Sequence, residues 1–168
     1  MHETTVIFGI PVPSPDPLFL GIVGLHIAFG IVAVVSGVVA MVSAKGRGRH
    51  SNFGTIYFWS LAGVTITMSA LSFLRWAEDY YLFTLGALAF GAAIFGRYSI
   101  RHRWPRFHLT GMASSYVFML TAFYVDNGKN LPVWKDLPHI AYWIVPSALG
   151  IPLMAYYLVR LPEVEFDA

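Results

Sequence analysis

The sequence predicts an all-α polytopic membrane protein, a bundle of five transmembrane helices with its N-terminus outside and its C-terminus in the cytoplasm. Three observations carry that reading. Hydrophobic residues make up 57% of the 168 positions and charged residues 12%, where soluble domains carry about 25% charge. The apolar residues fall into five stretches, each near the roughly 20 residues needed to cross a bilayer as a helix. The Lys and Arg residues gather in the turns of one side. Mean hydropathy is +0.61. The chain has no cysteine, which excludes disulfides, thiolate metal sites, iron–sulfur clusters and cysteine nucleophiles.

Residues 1–16 are proline-rich and contain no Lys or Arg. They lack the basic start of a secretory signal and read as a short outer tail held extended by Pro11, Pro13 and Pro15. The first span is expected over 18–44. It carries one ionisable residue, His26, roughly 13 Å from its outer end at about 1.5 Å per residue. KGRGRH (Lys45 to His50) follows as a tight basic turn, then a second span over 54–73. RWAED (Arg75 to Asp79) is a short loop before the third span, 81–100. RHRWPR (Arg101 to Arg106) is a second basic turn, and Pro105 suits a helix start.

The fourth span, 106–126, is the least lipid-like. At helical spacing His108, Gly111, Ser115, Met119, Ala122 and Asp126 share one stripe along its length. Asp126 and Asn127 then read as a helix end and turn before Gly128. The fifth span, 140–159, holds Pro146 and Pro152, which membrane helices tolerate as kinks. Glu163, Glu165 and Asp167 form an acidic tail.

Five spans leave Lys45, Arg47, Arg49, Arg97, Arg101, Arg103, Arg106 and Arg160 on one side, and Arg75, Lys129 and Lys135 on the other. The positive-inside rule makes the richer side cytoplasmic. The lipid bilayer is therefore one partner, and a larger membrane complex or a second copy is the other kind expected. Nucleic acid is not expected, because the basic turns are short and close to the membrane.

Two junctions on the basic side resemble each other. RGRHSNFGTIY and RHRWPRFHLTGM each place a histidine near the start of an outward-running helix, with a glycine about one turn on. His50 precedes Gly54, and His108 precedes Gly111. Two imidazoles at one depth, beside bare backbone, suit the axial ligation of a b-type haem. Arg47, Arg49 and Arg106 would pair with its propionates. The alternative is that the histidines cap helices or meet lipid headgroups.

His26 lies inside the hydrocarbon, where an ionisable residue marks function. At its estimated depth Met119 would give a His/Met pair, and the alternative is a hydrogen bond to a neighbouring hydroxyl. His139 with Asp126 and His26 could form an outer divalent-metal or proton site. Ser115 lies roughly 10 Å along the helix from His108, too far for a serine–histidine nucleophile.

The strings KGRGRHSNFGTIYFW (Lys45 to Trp59) and HLTGMASSYVFMLTAFYVDNGKNLPVW (His108 to Trp134) resemble a family of bacterial membrane proteins filed as a domain of unknown function. The resemblance implies a multi-span protein of the bacterial cytoplasmic (inner) membrane, with His50, His108, Tyr116, Asp126 and Asn127 as motif positions, and no activity. A looser similarity of layout links the paired histidines to b-type membrane cytochromes. The leading expectation is a haem-binding electron-transfer subunit. The others are a proton- or ion-linked transporter or accessory subunit using His26 and Asp126, and an outer-face metal enzyme using His26, Asp126 and His139.

Overall fold

A computed structural model describes residues 5–7, 10–12 and 16–160. It is helical apart from one short antiparallel hairpin, β1 (Thr5–Ile7) with β2 (Ile10–Val12), in which Val6 faces Pro11. Pro11 is thus in extended backbone, as expected. Pro13, Pro15 and the acidic tail lie outside the described residues.

Five helices follow: α1 (Pro17–Val42), α2 (Arg49–Leu74), α3 (Trp76–Arg101), α4 (Pro105–Asn127) and α5 (His139–Arg160). Each boundary has a local cause. Asp16 caps α1 by accepting the Leu18 amide at 2.9 Å, and Pro17 fills the first helical position, where its missing N–H costs nothing. Gly46 and Gly48 turn the chain at φ +119° and +104°, angles that side chains resist. The expected loop from Arg75 to Asp79 is a single residue. Glu78 and Asp79 instead sit in the first turn of α3, where the helix dipole favours acids, and Arg75 reaches forward to pair with Glu78.

Helix α4 ends at Asn127, as expected, and Gly128 after it keeps right-handed backbone. Its φ is −53°, and the chain passes into a short 3₁₀ turn, Gly128–Asn130. The Asn127 amide donates back to the Phe123 carbonyl at 3.2 Å, closing the helix end. The bare face of Gly128 carries the Tyr142 ring instead, which would lie 2.8 Å from a side-chain carbon there.

Four helices, α1, α2, α3 and α5, are long and apolar enough to cross a membrane. The fourth of the five expected spans, α4, is as long as α5 but falls short in hydropathy, because His108, Thr110, Ser114, Ser115 and Thr121 interrupt it. Packing accounts for this. The helices pack in chain order, α1 on α2, α2 on α3, α3 on α4 and α4 on α5. Helix α4 touches two neighbours along its length and reaches α1 and α2 through side chains. A helix enclosed by others needs less apolar surface than one facing lipid.

The core is built by alternation of size. Helices α1 and α3 contribute Ala33, Gly37 and Ala40, and Ala89, Ala93 and Gly96, all buried. Helices α2 and α4 contribute Tyr57, Leu61 and Met119, packed on Ala33, Ala89 and Ala93 with Tyr116 against them. The small helices bring backbone close, and the large ones fill the centre.

Candidate functional site

The site lies where both basic turns hand the chain back into helix. His50 falls in the first turn of α2 and His108 in the first turn of α4. Their rings meet across the bundle with centroids 6.3 Å apart and planes at 84°.

Each imidazole is held by the helix that precedes its own. Nδ1 of His50 lies 2.8 Å from the Ala40 carbonyl of α1, and Nδ1 of His108 lies 2.8 Å from the Gly96 carbonyl of α3. A carbonyl oxygen only accepts, so each Nδ1 carries the proton as donor. With Nδ1 engaged as donor, Nε2 is the ring position open to a ligand. This tautomer, fixed by a backbone carbonyl, is the one metal-ligating histidines use.

The ring separation can be set against simple ligand geometries. With a metal–nitrogen bond of roughly 2 Å and roughly 1 Å more to each ring centre, two imidazoles on opposite sides of one metal have centres about 6 Å apart. A tetrahedral angle would bring them to about 5 Å. The observed 6.3 Å matches the wider of these separations, and with planes at 84° it is also that of an edge-to-face ring pair.

Beneath the pair, Tyr57 donates to Ser115 Oγ at 2.8 Å, and Ser115 donates in turn to the Met112 carbonyl at 2.8 Å. Both residues are buried, at 2% and 0% exposure. Tyr57 and Ser115 are separated by 58 residues, as are His50 and His108, and as are Leu61 and Met119 of the core cluster. So α2 and α4 run parallel and in register, each rung one or two turns above the last. Ala33 and Ala89, Gly37 and Ala93, and Ala40 and Gly96 are each 56 residues apart on α1 and α3. The hairpins α1–α2 and α3–α4 are therefore near-copies of one another, with the histidines facing across the line that relates them.

The two glycines expected beside the histidines differ in use. Gly54 has open space where its side chain would be. Gly111 does not open a slot: a side-chain carbon there would lie 2.7 Å from the Gly96 backbone and 2.8 Å from the Ala92 carbonyl. Its bareness lets α4 lie directly on α3, which is what brings His108 to the Gly96 carbonyl. Gly37 plays a related part, since the rings of Tyr116 and Tyr57 lie on its bare face. The Tyr116 hydroxyl crosses to the Val34 carbonyl at 3.1 Å and ties α4 to α1.

Arg47, Arg49 and Arg106 are exposed at the same end of the bundle as the histidines. Lys45, which the sequence reading passed over, is folded back so that its ammonium donates to the Met41 carbonyl at 2.7 Å, close enough for its charge to reach His108. Partial burial pushes its pKa below the usual lysine range. The signal for it was the tight glycine turn itself, which points residue 45 back along α1.

The other candidates do not converge. Nδ1 of His26 donates to Thr67 Oγ1 at 2.9 Å, and Thr67 donates on to the Gly63 carbonyl at 2.8 Å. Met119 lies level with Ala33, two helical turns from His26, so the His/Met pair is not formed. His139 lies against the Tyr142 ring, with centroids 5.5 Å apart. Asp126 accepts from Asn127 at 3.1 Å and lies in the field of Asp79, Lys129 and Arg75. Among the described residues no three of His, Asp and Glu come together to hold a metal ion, so His26, Asp126 and His139 stand apart. No family model, no curated protein and no solved structure matches this chain, and the site is therefore read from its own geometry.

Proposed function

We propose that His50 and His108 are the axial ligands of a haem b, and that the protein is an electron-transferring subunit of a bacterial cytoplasmic membrane, with five spans, its N-terminus outside and its C-terminus inside. The single observation that carries this is the ring pair: two imidazoles on separate helices, each tautomer set by a backbone carbonyl, spaced for ligation from opposite sides. When bound, haem would supply one-electron chemistry whose potential the axial ligands and their hydrogen bonds set. The chain's own residues hold the ring nitrogens in place and keep the opening beside Gly54 clear. Lys45, Arg47, Arg49 and Arg106 supply positive charge at the end where propionates would emerge. The absence of acidic residues from both basic turns (residues 43–48 and 102–104) agrees with an inner-leaflet position.

The test is an absorption spectrum of the detergent-purified protein, oxidised and then dithionite-reduced, with haem extracted from the same sample. A sharp Soret band and a reduced α band near one haem per chain are expected. The double change His50→Ala and His108→Ala should abolish both. Wild-type protein that is colourless when expressed with added haem overturns the proposal.

A further inference from the structure

Helices α4 and α5 enclose a half-open cavity of about 260 Å³, lined by Ser114, Val117, Phe118, Ser147, Gly150 and Ile151, with Met154 at its rim. Its walls meet closely because Gly150 is bare; a side-chain carbon there would lie 2.3 Å from Val117. Two features set it apart from an ordinary packing defect. It opens between helices on the flank of α4, where Phe118 also packs against the core. It also contains one hydroxyl from each wall.

Those hydroxyls are half-buried, and like Ser51, Thr55 and Ser60 they lack the bond most of their kind make. Most helical Ser and Thr side chains here donate to a carbonyl three or four residues back, as in Ser36, Thr65, Ser69, Ser99, Ser115 and Thr121. Ser114 and Ser147 have no hydrogen bond to any described residue, and both line the same cavity. In a hydrocarbon setting a hydroxyl without a partner is costly, so a ligand that accepts from both would be favoured there. The volume lies just below the roughly 300–1,000 Å³ of sites that enclose a drug-sized molecule. That is room for one substituted ring, with any tail left outside.

We infer that the α4–α5 cavity binds the headgroup of a lipid-soluble quinone, with Ser114 and Ser147 donating to its ring carbonyls. The choice of a redox-active ring over other apolar carbonyl compounds rests on the haem reading; the cavity and its two donors do not. Ser114 is six residues along α4 from His108, roughly 9 Å by helical rise and about a third of a turn round the helix, so a ring held there lies one to two turns deeper than the histidines. Val117, Phe118 and Ile151 give the ring apolar walls, and Met154 gives an adaptable edge.

The experiment is calorimetric titration of decylubiquinone into the full-length protein in lipid nanodiscs, read against empty nanodiscs. Saturable one-to-one binding is expected. Ser114→Ala and Ser147→Ala should each weaken it several-fold to about tenfold, the usual effect of one hydrogen bond. Ser114→Leu, which fills the space, should remove it. The same titration on the His50→Ala, His108→Ala protein separates the two proposals. Quinone binding that survives there, or in protein without haem, supports the cavity whatever becomes of the haem reading. Haem-loaded protein that binds no decylubiquinone, or that binds it equally with both serines replaced, overturns the cavity proposal and leaves the haem reading standing. Release of phospholipid alone from the cavity on extraction, with no quinone competing for it, overturns it as well.

Discussion

Replacing Gly111 by alanine should detach His108 without unfolding the protein. The added carbon would lie 2.7 Å from Cα and N of Gly96 and 2.8 Å from the Ala92 carbonyl. These are backbone atoms and cannot swing aside as a side chain would. Ordinary contact between such atoms is nearer 3.5–4 Å, so α4 must move off α3 by about 1 Å. The His108 Nδ1 to Gly96 carbonyl distance of 2.8 Å then passes the roughly 3.2 Å at which such bonds weaken. Overpacking of this size costs about 1–3 kcal/mol. Loss of the bond that orients a ligating imidazole typically lowers affinity for its metal about 10–100-fold. The assay is haem titration of the purified variant followed by its Soret band, with thermal unfolding measured in parallel. Gly54→Ala is the contrast, because nothing in the chain lies within 4 Å of the added carbon. It should gain up to about 1 kcal/mol of helix propensity and lose haem only if the ring plane lies in that opening. Full haem affinity in Gly111→Ala would show that the Gly96 anchor does not govern the site.

The Tyr57–Ser115 rung predicts an asymmetry. Tyr57→Phe removes one hydrogen bond and leaves Ser115 donating to Met112, a loss of about 1 kcal/mol in thermal unfolding; Ser115→Ala strands a buried phenol and should cost about 1–3 kcal/mol. The double variant should be less destabilised than the sum of the two singles, since both changes break one contact. His26→Leu should leave haem content unchanged and stability within about 1 kcal/mol, because Thr67 keeps its bond to the Gly63 carbonyl; loss of haem in that variant would return His26 to the site. Metal ligation needs both Nε2 atoms unprotonated, and the metal competes with the proton for them, so bound haem should be released by acid only below the pH at which free imidazole titrates. Spectra recorded from neutral to acid pH check this, and release on raising the pH instead would contradict histidine ligation.

The helices and the histidine pair were legible because their signals are local: apolar stretches of membrane length, and two like junctions each with a histidine. What was not legible depends on how far each helix runs. Depths were reckoned as though all helices end in one plane, which set His26 beside Met119. The register shared by α2 and α4 sets Thr67 opposite Val125 instead, so α4 ends about one and a half turns short of α2, and Met119 falls level with Ala33. Gly111 was assigned to a ligand slot because spacing shows only that a side chain is missing. Whether bare backbone meets a ligand or a neighbouring helix is a tertiary fact, and here Gly96 occupies the space. The duplication of the hairpins could have been found in the sequence, as matching small residues 56 apart and matching large ones 58 apart.

Arg75 is the whole connection between α2 and α3, and it sits at the opposite end of the bundle from His50 and His108. Yet that single residue is not what aligns the histidines. The two hairpins are laced together part-way down by Tyr57 with Ser115 and Tyr116 with Val34, over a core they share. The lacing works like the rivet of a pair of shears, so a side chain changed there should alter the separation of the imidazoles about two turns away.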